Sequence, residues 1–453
     1  MPTRSDRIED LASATRSGRW FLSRVRLPLE LIPDGHRLPQ AGDGLVFGDL
    51  EISGDQIVSI RPHSRRETRS VDLDGSIVLP GLVDCHTHLD TGHIWPRARN
   101  PDGGFQGAID TVAGDQKDRW TPEDMRARMR FALDAAHAHG TVAVRTHLDC
   151  WPSAAFDPWP VFHEVAAAWR GRIDLQAAAL ITLGDVEQRS FIEGLARQVL
   201  EAGAALGAFV QARPDDLPHL PDRLDTMLRL AERFGLPVDF HVDETLDPHS
   251  CGLKMVAEAV LRTGFEGPVL CGHCVAPSSY DLDDLARTLD LTARAGLGVV
   301  SLPLCNAYLL DRSAGRTPRR RAMAPVHEIR AAGIEVAIGS DNTRDPFNAY
   351  GDLDLLEIYR FATLSQHLDH PVGSWPATIA ATPSRLIGQP DKGRIAPGRP
   401  ADLVILNSRG WSEFNARPQS DRIFLRNGLT LSEIAPEYRM LDRLEGIDDL
   451  SVF

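Results

Sequence analysis

Eight short apolar segments, each followed by a stretch long enough for a helix, constrain this chain more than any other feature. They read SIVLPGLVDCHTHLD, TVAVRTHLD, IDLQAAALIT, ALGAFVQAR, LPVDFHVDE, GPVLCGHCVA, LGVVSLPLCN and EVAIGSDN. Continuous apolar runs are what strands covered on both faces look like, and strand–helix alternation builds a parallel sheet. Eight such units predict an α/β fold, a (β/α)8 barrel of the TIM type. Two units are well formed locally. Thr121-Pro122-Glu123-Asp124 has the form of a capping box with proline at the first helical position. Met125, Met129, Leu133 and Ala136 then share one helical face, and Gly140 stops the helix before TVAVRTHLD. Leu224, Met227, Leu228 and Ala231 repeat the pattern, with Gly235 as the stop.

A barrel does not use all 453 residues. WFLSRVRLPLELI, GLVFGDLEI and GDQIVSIRP near the start, and ADLVILNS and DRIFLRNGLTL near the end, are β-prone runs broken by turn residues. Residues 19–75 and 391–440 are therefore expected to form one small β-sandwich domain from both chain ends. The barrel, residues 76–390, is inserted between them. Residues 1–18 read as a flexible leader and 441–453 as a C-terminal tail. A formal charge of -14 argues against nucleic acid or an anionic membrane as the main partner. No apolar run reaches the roughly 18–20 residues of a membrane helix, and the polar start lacks a secretory segment. The six cysteines are dispersed, as reduced thiols of a cytoplasmic enzyme would be.

The chemistry-bearing residues end these strands. In His86-Thr87-His88, positions i and i+2 of a strand point to the same side, so two imidazoles converge where a divalent metal could sit. His241 in FHVDE, His273 in CGHCV and Asp341 in IGSDN each close an apolar run. Taken singly, a strand-end histidine is commonly a satisfied polar group, and a strand-end aspartate a helix cap. Together they fall on the rim where barrel active sites lie, which points to one site. Cys271 and Cys274 bracket His273, but strand alternation sends them to opposite faces, so they read as packing thiols.

The order of these residues, with the phrases VLPGLVDCHTHLD and GRIAPGRPADLVILN, resembles the amidohydrolase superfamily. HTHLDT, VRTHLD, IDLQAAAL, HVDE, PLCNAYL and SDNTRDPF are most similar to its cytosine deaminases and N-isopropylammelide amidohydrolases. The resemblance implies a hydrolase of carbon–nitrogen bonds in cyclic amidines, a deaminase of the kind used in nucleobase metabolism. It would release ammonia from a pyrimidine, triazine or pterin. Two-metal members bridge their ions with a lysine on the fourth strand, and ALGAFVQAR has none. One divalent ion per subunit is thus implied, Zn²⁺ or Fe²⁺, with His86, His88, His241 and Asp341 as ligands. Such an ion brings the pKa of a bound water toward neutrality. The resemblance makes Asp341 the base for that water and Glu244 the acid that protonates a ring nitrogen. His273 is then the donor that stabilises the tetrahedral intermediate.

The chain departs from cytosine deaminases around the substrate. Thr182 stands where they carry a glutamine, Asn342 replaces an aspartate and Phe347 a tryptophan. Gln106, Arg213 and Asn306 are further candidate substrate contacts. Two competing readings are a hydrolase releasing an alkylamine from an N-substituted aminoheterocycle, and a non-catalytic, metal-stabilised binding protein. The expected partner is a small heterocycle. Related barrels often assemble through their faces, so a homo-oligomer stays open, although no interface is legible.

Overall fold

The computed structural model describes residues 4–15, 18–64, 69–152, 154, 156–210, 217–431 and 434–445. Its centre is an eight-stranded sheet in chain order. The strands are β1 (Leu82–Thr87), β2 (Thr141–Asp149), β3 (Asp174–Thr182), β4 (Ala205–Val210), β5 (Val238–Val242), β6 (Val269–His273), β7 (Gly298–Ser301) and β8 (Val336–Ile338). Every neighbouring pair from β3 to β8 is parallel. The seam closes where Thr87 and Asp341 form a parallel bridge. There the Asp341 amide donates to the His86 carbonyl at 2.9 Å, and Thr87 Oγ1 donates to the Asp341 carbonyl at 3.0 Å. Barrel closure itself therefore brings His86 and Asp341 together. The fold is the expected TIM-type barrel.

The strands are buried almost throughout, which is why they read as unbroken apolar runs. Gly207 in β4 shows how tightly they pack: a Cβ there would lie 2.4 Å from the Ala179 carbonyl oxygen and 2.5 Å from that of Asp239. Among the helices, α1 (Phe105–Arg119) follows β1, and α2 (Pro122–Ala138) begins at the expected cap. Thr121 Oγ1 accepts from the Asp124 amide at 3.2 Å. Gly235, with φ 65, ends the helix Leu220–Phe234 as its sequence implies. No described helix is long and apolar enough to cross a membrane.

The chain divides into two compact units. One takes residues up to 84, with 135–143 and 354–435; the other takes 85–134, 144–353 and the chain from 436. The first contains a five-stranded and a four-stranded sheet. In the latter, Val78–Pro80 pairs antiparallel with Leu403–Ile405, so strands from both ends of the chain share one sheet. Leu22, Val46 and Ile52 pack in one core with Ile395, Leu403 and Leu425. The start of the chain differs from the flexible leader expected: Arg4–Thr15 is a helix. Ile8, Leu11 and Ala14 recur on one side of it, and Leu11 is fully buried in that core.

Candidate metal centre and active site

β1 delivers His86, and His88 follows just beyond it. β5 carries His241, β6 ends on His273, and Asp341 lies three residues past β8. All five are buried. One ligand atom each from His86, His241, His273 and Asp341 lies within 4.8 Å of the others. His88 joins them: its Nε2 is 3.1 Å from His241 Nε2 and 3.3 Å from Asp341 Oδ1. Two of these groups, and Asp243 beside His241, lie at rim positions with unusual backbone. Asp243, His273 and Asp341 adopt φ of 51, 67 and 62. Left-handed conformations at non-glycine residues cost energy and gather at functional sites.

The donors fit a divalent ion. The two Asp341 carboxylate oxygens, His241 Nδ1 and His273 Nε2 are buried without a hydrogen bond of good geometry. Buried polar atoms are normally satisfied, and a metal is one way to satisfy them. Burial, then His86, drives His241 well below the usual histidine range, and burial takes His273 down to about 3. Both therefore stay neutral, and for His241 that is the form a metal requires. Burial would raise Asp341, yet the surrounding histidines, His273 first and then His86 and His88, hold it well below the carboxylate range. Against its own burial, His88 is pushed up to about 9 by Asp341. The carboxylate thus recruits positive charge to this place. The buried His/Asp cluster has the donors of a divalent-metal site.

Glu244 stands beside it. Its Oε1 is 3.4 Å from His273 Nδ1 and accepts from Asn306 Nδ2 at 3.2 Å. Burial and then the Asp341 charge push the Glu244 carboxyl well above its usual range, against the Asn306 hydrogen bond. The loop that holds Glu244 is anchored through the preceding residue. The Asp243 carboxylate accepts from Ser250 Oγ at 2.6 Å and from the Gly252 and Leu253 amides at 2.9 Å.

A cavity of about 500 Å³ opens over the cluster. His88, His241, Glu244 and His273 line one part of it, with Phe105, Phe209 and Phe347 nearby. Phe105 stacks on Phe209 at 5.6 Å and meets Phe347 edge-on at 5.7 Å, a surface suited to a flat ring. Of the expected substrate contacts, Thr182, Asn342 and Phe347 line the cavity. The Thr182 hydroxyl already donates to Asp185 at 2.6 Å, and Asn342 Nδ2 to Asp345 at 2.7 Å. Asn306 instead braces the site, bridging Glu244 and His273 Nδ1, the latter at 3.0 Å. Gln106 does not line the cavity: it sits on the outer face of α1, exposed, and donates to Asp110 one turn on. Arg213 lies outside the described residues.

Sequence reasoning missed a layer beneath the cluster. His147 Nε2 lies 3.1 Å from His86 Nδ1 and 3.9 Å from Asp239 Oδ1. Arg145 Nη1 donates to Asp239 Oδ2 at 3.1 Å. A metal-binding imidazole is commonly oriented through its second nitrogen in this way. Asp149 lines the cavity, and burial and then Asp90 push it up to about 8. The signal was present in the sequence: strand alternation puts Arg145, His147 and Asp149 on one side of β2. The six cysteines are free, and burial pushes the Cys271 and Cys274 thiols up, consistent with packing.

Comparison with known proteins agrees with this geometry. The family model described as the amidohydrolase family matches residues 69–208 and 122–423. A pterin deaminase of Rhizobium rhizogenes (strain K84) is 44% identical over 436 residues, covering 96% of this chain and 98% of the relative. The N-isopropylammelide isopropyl amidohydrolase of Pseudomonas sp. (strain ADP) is 25% identical, with 80% of this chain and 87% of the relative covered. Among solved structures, a 5-methylcytosine deaminase from Klebsiella pneumoniae liganded with 5-fluorocytosine superposes with a TM-score of 0.76 at 23% identity. It covers 92% of this chain and 98% of its own. With a family model matched along most of the chain and a near full-length relative, this chain belongs to the amidohydrolase family.

Proposed function

We propose that this protein is a metal-dependent aminohydrolase that replaces the exocyclic amino group of a pterin-type ring by oxygen, releasing ammonia. The observation that carries the reading is Glu244. A buried carboxyl pushed well above its usual range by burial and the Asp341 charge stands 3.4 Å from a histidine of the metal cluster, on the wall of a ring-sized cavity. A non-catalytic metal site has no use for such an acid. The full-length likeness to a pterin deaminase supports the choice of ring.

In this reading His86, His88, His241 and Asp341 hold the ion, as Zn²⁺ or Fe²⁺. When bound, it supplies a water acidified toward neutrality and a Lewis-acidic centre. Asp341, unprotonated, takes the proton of the attacking water. Glu244 gives its proton to the ring nitrogen next to the amino-bearing carbon, so negative charge does not build up there. Asn306 keeps the Glu244 carboxyl and the His273 ring in mutual register, and His273 donates to the developing oxyanion. The aromatic trio of Phe105, Phe209 and Phe347 holds the ring flat. Asp341 then passes the water proton to the departing amino group and the remaining hydroxyl proton restores Glu244, so water and the aminated ring give the oxo ring and ammonia.

The test is an ammonia assay of the zinc-loaded and iron-loaded protein over pterin, cytosine, 5-methylcytosine and N-alkylated aminotriazines. Ammonia from pterin, well ahead of the other rings, is the expected result. Release of an alkylamine from the triazines with no ammonia from pterin contradicts it.

A further inference from the structure

The part of the cavity farthest along α1 carries polar groups that the reaction does not use. α1 turns one face to the cavity, formed by Phe105, Ile109, Val112, Ala113, Gln116 and Lys117. This is the spacing of one helical stripe. It is apolar at its start and ends on two hydrogen-bond donors. Gln116 is 8% exposed, and its Nε2 has no hydrogen-bond partner. A buried donor left in that state is costly unless a ligand satisfies it. Lys117 is exposed, and its ammonium makes no ion pair or hydrogen bond with any described residue. The nearby carboxylate of Asp115 is taken up by Arg97 at 2.9 Å and by Trp120 Nε1 at 3.1 Å, so it does not compete.

The place of these donors decides which part of a ligand they meet. Phe105 lies at the metal end, stacked on Phe209, whose ring centre is 6.4 Å from that of His241. Lys117 is twelve residues farther on, or about 18 Å along the helix axis. That span exceeds a fused two-ring heterocycle, so Lys117 addresses a substituent and not the ring. The cavity carboxyls Asp149 and Glu244 belong to the metal end, where each feels the charge of a cluster residue. Lys117 is the cation of the α1 stripe, so an anionic arm is drawn toward that end of the cavity.

We propose that Gln116 and Lys117 form a subsite for the carboxylate of an extended acidic substituent on the ring that is deaminated. This rests on the aminohydrolase reading above. The subsite makes the preferred substrate an acid whose charged arm lies along α1. Gln116 donates an amide hydrogen to the carboxylate and Lys117 supplies the countercharge.

The experiment uses the zinc-loaded full chain and two probes: a pterin with a benzoate-ended arm on its pyrazine ring, and the methyl ester of that acid. For the unaltered protein, kcat/KM for the acid should exceed that for the ester by about tenfold, as for one charge-assisted contact. The ratio should fall toward one in Lys117→Met, be largely kept in Lys117→Arg, and shrink as salt is raised. Equal values for acid and ester overturn the subsite. So does a preference that survives Lys117→Met, which would leave Lys117 only the role of a cation at a helix C-terminus. Quenching of probe fluorescence on binding reads the same ratio without turnover. Absence of ammonia from both probes would therefore remove the deaminase reading, while the binding ratio still decides the subsite.

Discussion

Glu244→Gln should lower kcat by about 10²–10⁴-fold while leaving the metal content unchanged. The amide keeps the shape of the side chain and a contact to Asn306, but it has no proton to give the ring nitrogen. The sign of the pH dependence follows from burial. Burial and the Asp341 charge raise the Glu244 pKa, so the donating form persists to higher pH than in an ordinary carboxyl. In the unaltered protein, activity on the alkaline side should fall as pH rises through that raised value. In Glu244→Gln that limb should disappear, leaving a low and flat rate. Steady-state ammonia release from pH 5 to 10, with metal analysis of both proteins, checks this. A variant with near-normal kcat would mean that the ring is protonated from elsewhere.

Asp341→Asn should have the larger effect. Asp341 is the one carboxylate among four imidazoles, and its oxygens lack hydrogen bonds of good geometry. In the proposed reaction it both holds the ion and removes the proton of the attacking water. Losing the base alone costs up to about 10⁴-fold, and losing a charged ligand weakens retention of the ion as well. The expected result is a fall in kcat of at least about a thousandfold that excess metal does not restore, with less metal retained after dialysis. Full rescue by added metal would limit Asp341 to ligation and move the base elsewhere.

The barrel was legible because parallel strands covered on both faces must be apolar at every position, and eight such runs stand out. His86, His88, His241, His273 and Asp341 were legible because each interrupts or ends one of those runs. The rest was hidden for particular reasons. Arg145 pairs with Asp239 and His147 with His86 inside the barrel, and although alternation puts Arg145 and His147 on one side of β2, the partners come from other strands. Gln106 was chosen for its closeness to His88 in sequence. The helical period of α1 instead turns Phe105, Ile109 and Gln116 to the cavity and Gln106 to solvent. Asn306 was expected against the substrate, yet from the helix Pro303–Leu309 it braces Glu244 and His273, a relation between residues far apart in sequence. Leu11 anchors the first helix through packing on residues far away in sequence, which a polar local composition conceals.

The central claim is that one divalent ion, gathered by these strand ends, makes the chain a pterin-type deaminase. Its most direct test is to strip the protein with a chelator and titrate it with Zn²⁺, or with Fe²⁺ without oxygen, while following ammonia release from pterin. Activity should be absent without metal, rise in proportion to added ion and level off sharply at one equivalent per chain. Ammonia release from the metal-free protein, a break at two equivalents, or stoichiometric binding without any turnover would contradict the account.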